Sequence, residues 1–160
     1  MISDAIGEHY CLCELLLKGK EAYIANGVTQ KGWDIAVLDK DKTLRIQVKT
    51  INFQAKGQAT IKGTFIEKQF DYLVIVLLNL NNVKYTTFVI PYDKLKEKEK
   101  DNSDRNKLID NNGLVYYSAR TKLKGGDGYE KQAIAFSTIK KQDVLTLFKK
   151  YESNFESIKA

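Results

Sequence analysis

Between positions 33 and 50 the chain alternates apolar and polar residues in two runs, Trp33-Asp34-Ile35-Ala36-Val37-Leu38 and Thr43-Leu44-Arg45-Ile46-Gln47-Val48-Lys49-Thr50. The polar cluster Asp39-Lys40-Asp41-Lys42 separates them. Alternation over such lengths is the period-two signal of half-buried strands, and a polar cluster between two such runs is a turn, so the pattern predicts a β-hairpin. With the turn centred on Lys40 and Asp41, Ile35 faces Ile46 and Val37 faces Leu44 on one apolar face. The other face sets Asp34 opposite Gln47, where cross-strand Cβ atoms lie about 4.5–5.5 Å apart, with Lys49 two residues further on. A slip of one residue would bury the charged set and expose the aliphatic one, so the hydrophobic pattern itself selects this register.

Upstream, residues 4–18 predict a helix entered at Ser3 or Asp4 and stopped by Gly19, since short polar residues cap helix starts and glycine suits the left-handed position after a helix end. Wound at roughly 100° per residue, Ile2, Ala5, Leu12, Cys13, Leu16 and Leu17 share one apolar face, with Glu8 at its border. His9, the one histidine, falls near the middle of that face and is expected as a satisfied core residue. Residues 21–26 predict a short strand. The loop 26–32, with Gly27, Lys31 and Gly32, lacks the lysine-serine/threonine ending of a phosphate-binding P-loop and is expected as a turn leading to Asp34.

Beyond the hairpin, residues 51–64 have no sustained period and are expected as a loop carrying Lys56 and Lys62, with a short helix or turn at 65–70. The continuous aliphatic run Leu73-Val74-Ile75-Val76-Leu77-Leu78 suits a central strand covered on both faces, placed at 71–78. Its hairpin partner is expected at 83–90, closed by Pro91, and a helical turn at 92–98. Residues 96–113 are dominated by Lys, Glu, Asp and Asn, a composition that buries little, and are expected as a mobile insertion. Strands at 114–118 and 132–136 flank a basic, glycine-containing loop at 119–131. Val144, Leu145, Phe148, Tyr151, Phe155 and Ile158 recur at three- and four-residue steps, predicting a terminal amphipathic helix over 140–158.

At 160 residues, 43% of them hydrophobic and 29% charged, the chain has the composition of one ordinary globular domain. Its apolar runs fall far short of the roughly 20 residues of a membrane helix, and the N-terminus lacks the pattern of a signal peptide, so an intracellular protein without a membrane partner is expected. Cys11 and Cys13 stand two apart on a helix and diverge, so they are expected as free thiols, and a four-ligand zinc site finds too few donors. The net charge of +6 favours a polyanionic partner. Lys31, Lys56, Lys62, Arg120, Lys122 and Lys124 are candidate phosphate contacts, which position a nucleic acid rather than read its sequence.

Asp34 followed by Gln47-Val48-Lys49 on the next strand resembles the signature of the PD-(D/E)XK nuclease superfamily, which includes restriction, junction-resolving and some homing endonucleases. The resemblance implies an α/β, restriction-endonuclease-like core with a central mixed β-sheet flanked by helices through about residue 92, followed by C-terminal elaborations within a single domain. It implies that Asp34, Gln47 and the Val48 carbonyl hold Mg²⁺, for which Mn²⁺ could substitute, and that Lys49 orients and activates the attacking water. Trp33 stands where the family has proline, and Gln47 replaces an acid. A glutamine oxygen can coordinate a hard cation but brings no charge, so Glu8 is the candidate for the missing carboxylate, matching a first-helix glutamate found in resolvase-like members. The implied activity is hydrolysis of phosphodiester bonds in double-stranded DNA, by a homodimer or homotetramer because duplex cleavage needs two active sites. Two other readings stand beside it. The neutral Gln47 also suits a catalytically silent nucleic-acid-binding module, and a third, structural reading makes Asp34 a turn residue and Gln47 and Lys49 the solvated face of a plain hairpin.

Overall fold

The computed structural model of the chain describes residues 2–25, 32–52, 58–63, 69–80, 83–98, 109–110, 113–122, 129–140 and 149–160. A helix, α1 (Ile2–Leu17), precedes strands β1 (Glu21–Ile24), β2 (Ile35–Asp39), β3 (Lys42–Asn52), β4 (Gln58–Gly63), β5 (Tyr72–Leu80) and β6 (Val83–Pro91). After a 3-10 turn at Tyr92–Lys94 come β7 (Leu95–Lys98), β8 (Ile109–Asp110), β9 (Gly113–Lys122) and β10 (Tyr129–Lys140), then 3-10 turns at Lys149–Tyr151 and Phe155–Ser157. One sheet has the order β1-β2-β3-β5-β6. It is mixed, because β3 and β5 run parallel while the other neighbours are antiparallel. With α1 packed on it, the fold is α/β.

The hairpin β2–β3 has the register that its apolar pattern requires: Ile35 pairs with Ile46 and Val37 with Leu44. Those four side chains are buried together with Val48, Val74, Val76, Leu78 and Val89, under Cys11 and Leu15 of α1 and Phe155 and Ile158 near the end of the chain. Each fully buried side chain of this size contributes about 1.5–3 kcal/mol relative to exposure. The run 73–78 is buried along its whole length because β5 lies between β3 and β6. Alternation puts Leu73, Ile75 and Leu77 on the face away from α1, where Phe70, Phe88 and Ile90 are also buried.

The helix turns a different face to the sheet from the one its leucines suggest. Gly7, Cys11 and Leu15 are buried, whereas Leu16 and Leu17 are 52% and 74% exposed. Ala5, His9 and Cys13 are exposed too, so His9 is not a core residue; its Nδ1 donates to the Ala5 carbonyl at 2.8 Å, within its own helix. Close approach is the physical reason. A Cβ on Gly7 would collide with Thr50 Oγ1 and would lie 3.0 Å from Thr50 Cβ and 3.2 Å from Cγ2, so the helix backbone rests directly against β3, which only glycine permits. Gly19 then ends the helix at φ +70°, with Gly19 N donating to Leu16 O at 2.9 Å and Lys20 N to Leu15 O at 3.0 Å, the paired bonds of a Schellman end.

Three other expectations are corrected. The segment 51–64, expected as a loop, holds the end of β3 and all of β4. Within 96–113, expected as an insertion, the described residues form the end of β7, β8 and the start of β9, and Leu95 pairs with Leu114 in parallel. The basic loop expected at 119–131 is mostly strand: β9 and β10 form an antiparallel hairpin that runs to Lys122 and resumes at Tyr129. These strands build a second sheet, β4-β10-β9-β7.

The terminal helix expected over 140–158 is also absent from its described part, where two 3-10 turns replace it; Val144, Leu145 and Phe148 lie outside the described residues. Ser153 has φ +50° and its N–H donates to Thr87 O at 2.9 Å, while Glu152 bridges to Phe88. Pairing with β6 thus competes with helical bonding and wins, and still buries Tyr151, Phe155 and Ile158. Among the described residues no helix is long and apolar enough to cross a membrane.

The Gly7–Thr50 contact makes Gly7→Ala an overpacking substitution, expected to cost about 1–3 kcal/mol in urea unfolding. Adding Thr50→Ala, which removes Oγ1 and Cγ2, is expected to restore part of that loss. Simple additivity of the two substitutions would contradict the close approach.

Candidate functional site

Asp34 sits just before β2 and is fixed by its backbone on both sides. Its N–H donates to Ile46 O at 2.7 Å, and its carbonyl accepts from Ala25 N at 2.8 Å, extending the β1–β2–β3 ladder by one residue. With the main chain held, the carboxylate reaches across to β3. Asp34 Oδ2 accepts the Val48 N–H at 2.6 Å and Gln47 Nε2 at 2.5 Å. Gln47 is 8% exposed, and its Nε2 also lies 3.4 Å from Val48 O. Both neighbours of that nitrogen are acceptors, so Gln47 meets Asp34 as a donor. The second carboxylate oxygen, Oδ1, has no hydrogen-bond partner among the described residues.

The site is electrostatically strained. Burial pushes the Asp34 carboxyl above the usual aspartate range, against the opposing pull of the Val48 N–H, the Lys49 ammonium and the Gln47 amide. Glu8, half-buried on α1, is raised first by burial and next by the charge of Asp34. Lys49 lowers it in turn. Beneath them, burial raises the Cys11 thiol, and Asp34 adds to the effect, so Cys11 is a neutral floor rather than a thiolate ligand. Asp4, a helical turn before Glu8, also raises both carboxyls; it was not singled out in the sequence, where its four-residue spacing from Glu8 was the available signal.

Asp34, Gln47 and Val48 are therefore in direct contact, and Glu8 and Lys49 lie within electrostatic reach of Asp34. The basic candidates are elsewhere. Lys62 is on β4, in register with Ile134; Arg120 and Lys122 are on β9, in register with Lys131 and Tyr129. Lys31, Lys56 and Lys124 lie outside the described residues.

The donor set suits a hard cation of modest charge demand. Two half-buried carboxyls, both raised by burial and one of them further by the other's charge, are relieved by a divalent ion, Asp34 Oδ1 has no partner among the described residues, and the Val48 carbonyl adds a neutral oxygen of the kind that Mg²⁺ accepts. Gln47 would have to turn its amide over to offer oxygen. No three acidic, imidazole or thiol groups converge among the described residues, so such an ion would keep several waters, as Mg²⁺ commonly does.

A solved structure similar to this chain is that of a bacterial homing endonuclease, I-Ssp6803I, with a TM-score of 0.45 and 17% sequence identity, covering 57% of this chain and 68% of that one. No protein-family model matches the chain, and no curated protein matches it.

Raised carboxyl pKa values fix the sign of a pH effect. The folded chain binds these protons more tightly than the unfolded chain, so this contribution favours the fold at acid pH and is lost as pH rises from the ordinary carboxylate range through the raised values. Glu8→Gln removes one of the repelling charges. Its melting temperature is expected above that of the unsubstituted protein at pH 7, with the gap closing below about pH 4, where model carboxylates are protonated. A lower melting temperature at pH 7 would contradict the strain.

Proposed function

We propose that this chain is a metal-dependent endonuclease that hydrolyses phosphodiester bonds in double-stranded DNA. The observation that carries the reading is the Asp34 carboxylate clamped to Gln47 and Val48, one residue before Lys49 and electrostatically joined to Glu8. Plain surface hairpins do not gather a buried amide, a carboxyl raised by burial and a lysine beside a helical glutamate that is raised too, because each raised pKa is a cost to the fold. The reading also gives the net charge of +6 a partner.

Asp34 and Glu8 supply the charged ligands, the Val48 carbonyl a neutral one, and Gln47 holds Asp34 in place and offers its own oxygen after an amide turn. Bound there, Mg²⁺ or Mn²⁺ supplies charge neutralisation at the phosphate and lowers the pKa of its water. Lys49 holds the attacking water in line with the phosphorus and stabilises negative charge as it develops on the phosphoryl oxygens. Cys11, Ile46 and Val48 belong to the buried core that adjoins the site. Two strands are cut by two copies of the site, so the active species is a homodimer or homotetramer whose symmetry mirrors that of its target.

A second reading, a DNA-binding module without cleavage, is favoured by the orientation of Gln47, which gives Asp34 its nitrogen instead of sharing a cation with it. Plasmid nicking separates the two. With Mg²⁺ or Mn²⁺ the protein is expected to nick supercoiled plasmid, and Asp34→Ala or Lys49→Ala to lower the rate at least a hundredfold, about 2.7 kcal/mol in the barrier, while gel-shift affinity largely survives. Binding with no cleavage in either metal would establish the silent module; unchanged cleavage by both variants would reject these residues.

A further inference from the structure

Residues 149–160 are tied to the sheet at two levels. Glu152 bridges to Phe88 of β6, and the Ser153 N–H donates to Thr87 O at 2.9 Å. At the start of β5, which pairs with the end of β6 through Tyr72 and Pro91, the Tyr72 hydroxyl donates to Ser157 O at 2.9 Å. Beside these ties lies a cavity of about 420 Å³, within the range of roughly 300–1,000 Å³ that small-molecule sites occupy. Val89 and Pro91 of β6 line it, with Lys94 from the turn that follows and Lys150, Tyr151 and Asn154 from the terminal segment.

The polar groups of this lining are unbalanced. It carries two lysines and, among the described residues, no carboxylate. Lys94 meets Asp93 Oδ2 at 3.3 Å, with side chains 49% and 70% exposed, a pair that water screens. Lys150 has no acidic partner among the described residues; its Nζ lies 4.9 Å from the centroid of the Tyr151 ring, an aromatic contact that leaves its donors available. The Asn154 side chain makes no capping bond to the turn it precedes, so its amide donors are uncommitted there. Tyr151 is 6% exposed, yet its hydroxyl is buried without a hydrogen-bond partner among the described residues. Folds rarely leave such a group unsatisfied without a reason.

We infer that this cavity is a second binding site, which takes a phosphate group joined to an apolar body, of the kind a nucleotide presents. Lys94 and Lys150 supply the two cations that a phosphate dianion needs, as lysines do at other phosphate sites. The Asn154 amide and the Tyr151 hydroxyl supply neutral donors to the remaining phosphate oxygens. Val89, Pro91 and the Tyr151 ring face the organic part. The site is separate from the Asp34 clamp, because β5 lies between β6 and the strand that carries Gln47 and Val48, so the inference does not rest on the nuclease reading. The same phosphate chemistry has two sources, a free phosphomonoester or the backbone of a nucleic-acid strand.

The test uses the full chain at low salt, with EDTA present so that binding is read without metal. Calorimetric titrations compare thymidine 5′-monophosphate, inorganic phosphate and thymidine. The monophosphate is expected to bind most tightly and thymidine not at all, since the cations have no anion to meet. Lys94→Gln/Lys150→Gln alters two exposed side chains, so it is expected to keep the melting temperature while weakening the monophosphate about tenfold or more. Tyr151→Phe is expected to keep or raise the melting temperature of the free protein, because it removes an unsatisfied buried hydroxyl, and to weaken the monophosphate as well. A purely structural tyrosine would not separate the two readouts, and unchanged binding by this variant would overturn the role given to its hydroxyl. Anisotropy of a labelled duplex identifies the source. If the monophosphate displaces the duplex and the lysine variant binds duplex more weakly, the phosphate belongs to a strand; if duplex binding ignores both, it belongs to a free phosphomonoester. A monophosphate bound no more tightly than thymidine, or equally well by the lysine variant, would overturn the site while leaving the Asp34 centre untouched.

Discussion

The Asp34 carboxylate is held to β3 by two short hydrogen bonds, from the Val48 N–H and from the Gln47 amide, and the arrangement of the site depends on that clamp. A half-buried carboxylate needs donors, since burying it unpaired would neutralise it. Both donors here are neutral, so the clamp forms without a cation and leaves Oδ1 without a partner among the described residues. An acid at position 47 would instead add a third negative group to a pair that already repels. Glutamine at position 47 thus keeps electrostatic strain lower than an acid would, and brings no charge with which to hold a cation.

Packing brings the remaining groups to the clamp. Gly7 precedes Glu8 and Thr50 follows Lys49, and Gly7 lies directly against Thr50. The contact fixes the helix that carries Glu8 against the strand that carries Lys49, and the Lys49 charge lowers the Glu8 pKa. Among the described residues the Thr50 hydroxyl is buried without a hydrogen-bond partner, a cost of about 1–3 kcal/mol that accompanies this close approach. Stability and site geometry thus meet at one glycine, and a substitution there would be felt in both.

The hairpin and its register were legible because one face is wholly aliphatic, and a one-residue slip would reverse it. The central strand was legible for a similar reason, since six aliphatic residues in a row fit little else between Asp71 and Asn79. The buried face of α1 was not, because leucines lie on its exposed side and the decisive residue, Gly7, carries no side chain for a hydrophobic pattern to register. The second sheet was not legible because the sequence at 119–122 and 129–132 is mostly charged or polar, without the apolar alternation that marks a half-buried strand. The terminal segment had a helical period in its apolar residues, but competition from backbone pairing with β6 is invisible to periodicity. For the site, the sequence placed Asp34 opposite Gln47; which amide atom meets the carboxylate, and the participation of Asp4, required coordinates.

The most direct measurement is an electron paramagnetic resonance titration of Mn²⁺ with the protein, alone and with duplex DNA, at pH 7 and pH 5. If Asp34 and Glu8 together hold a catalytic cation, one Mn²⁺ binds per chain, more weakly at pH 5 because both carboxyls are raised, and Asp34→Asn loses that binding. Mn²⁺ that stays free under every condition, or binds equally well to Asp34→Asn, would contradict a metal centre built on this aspartate.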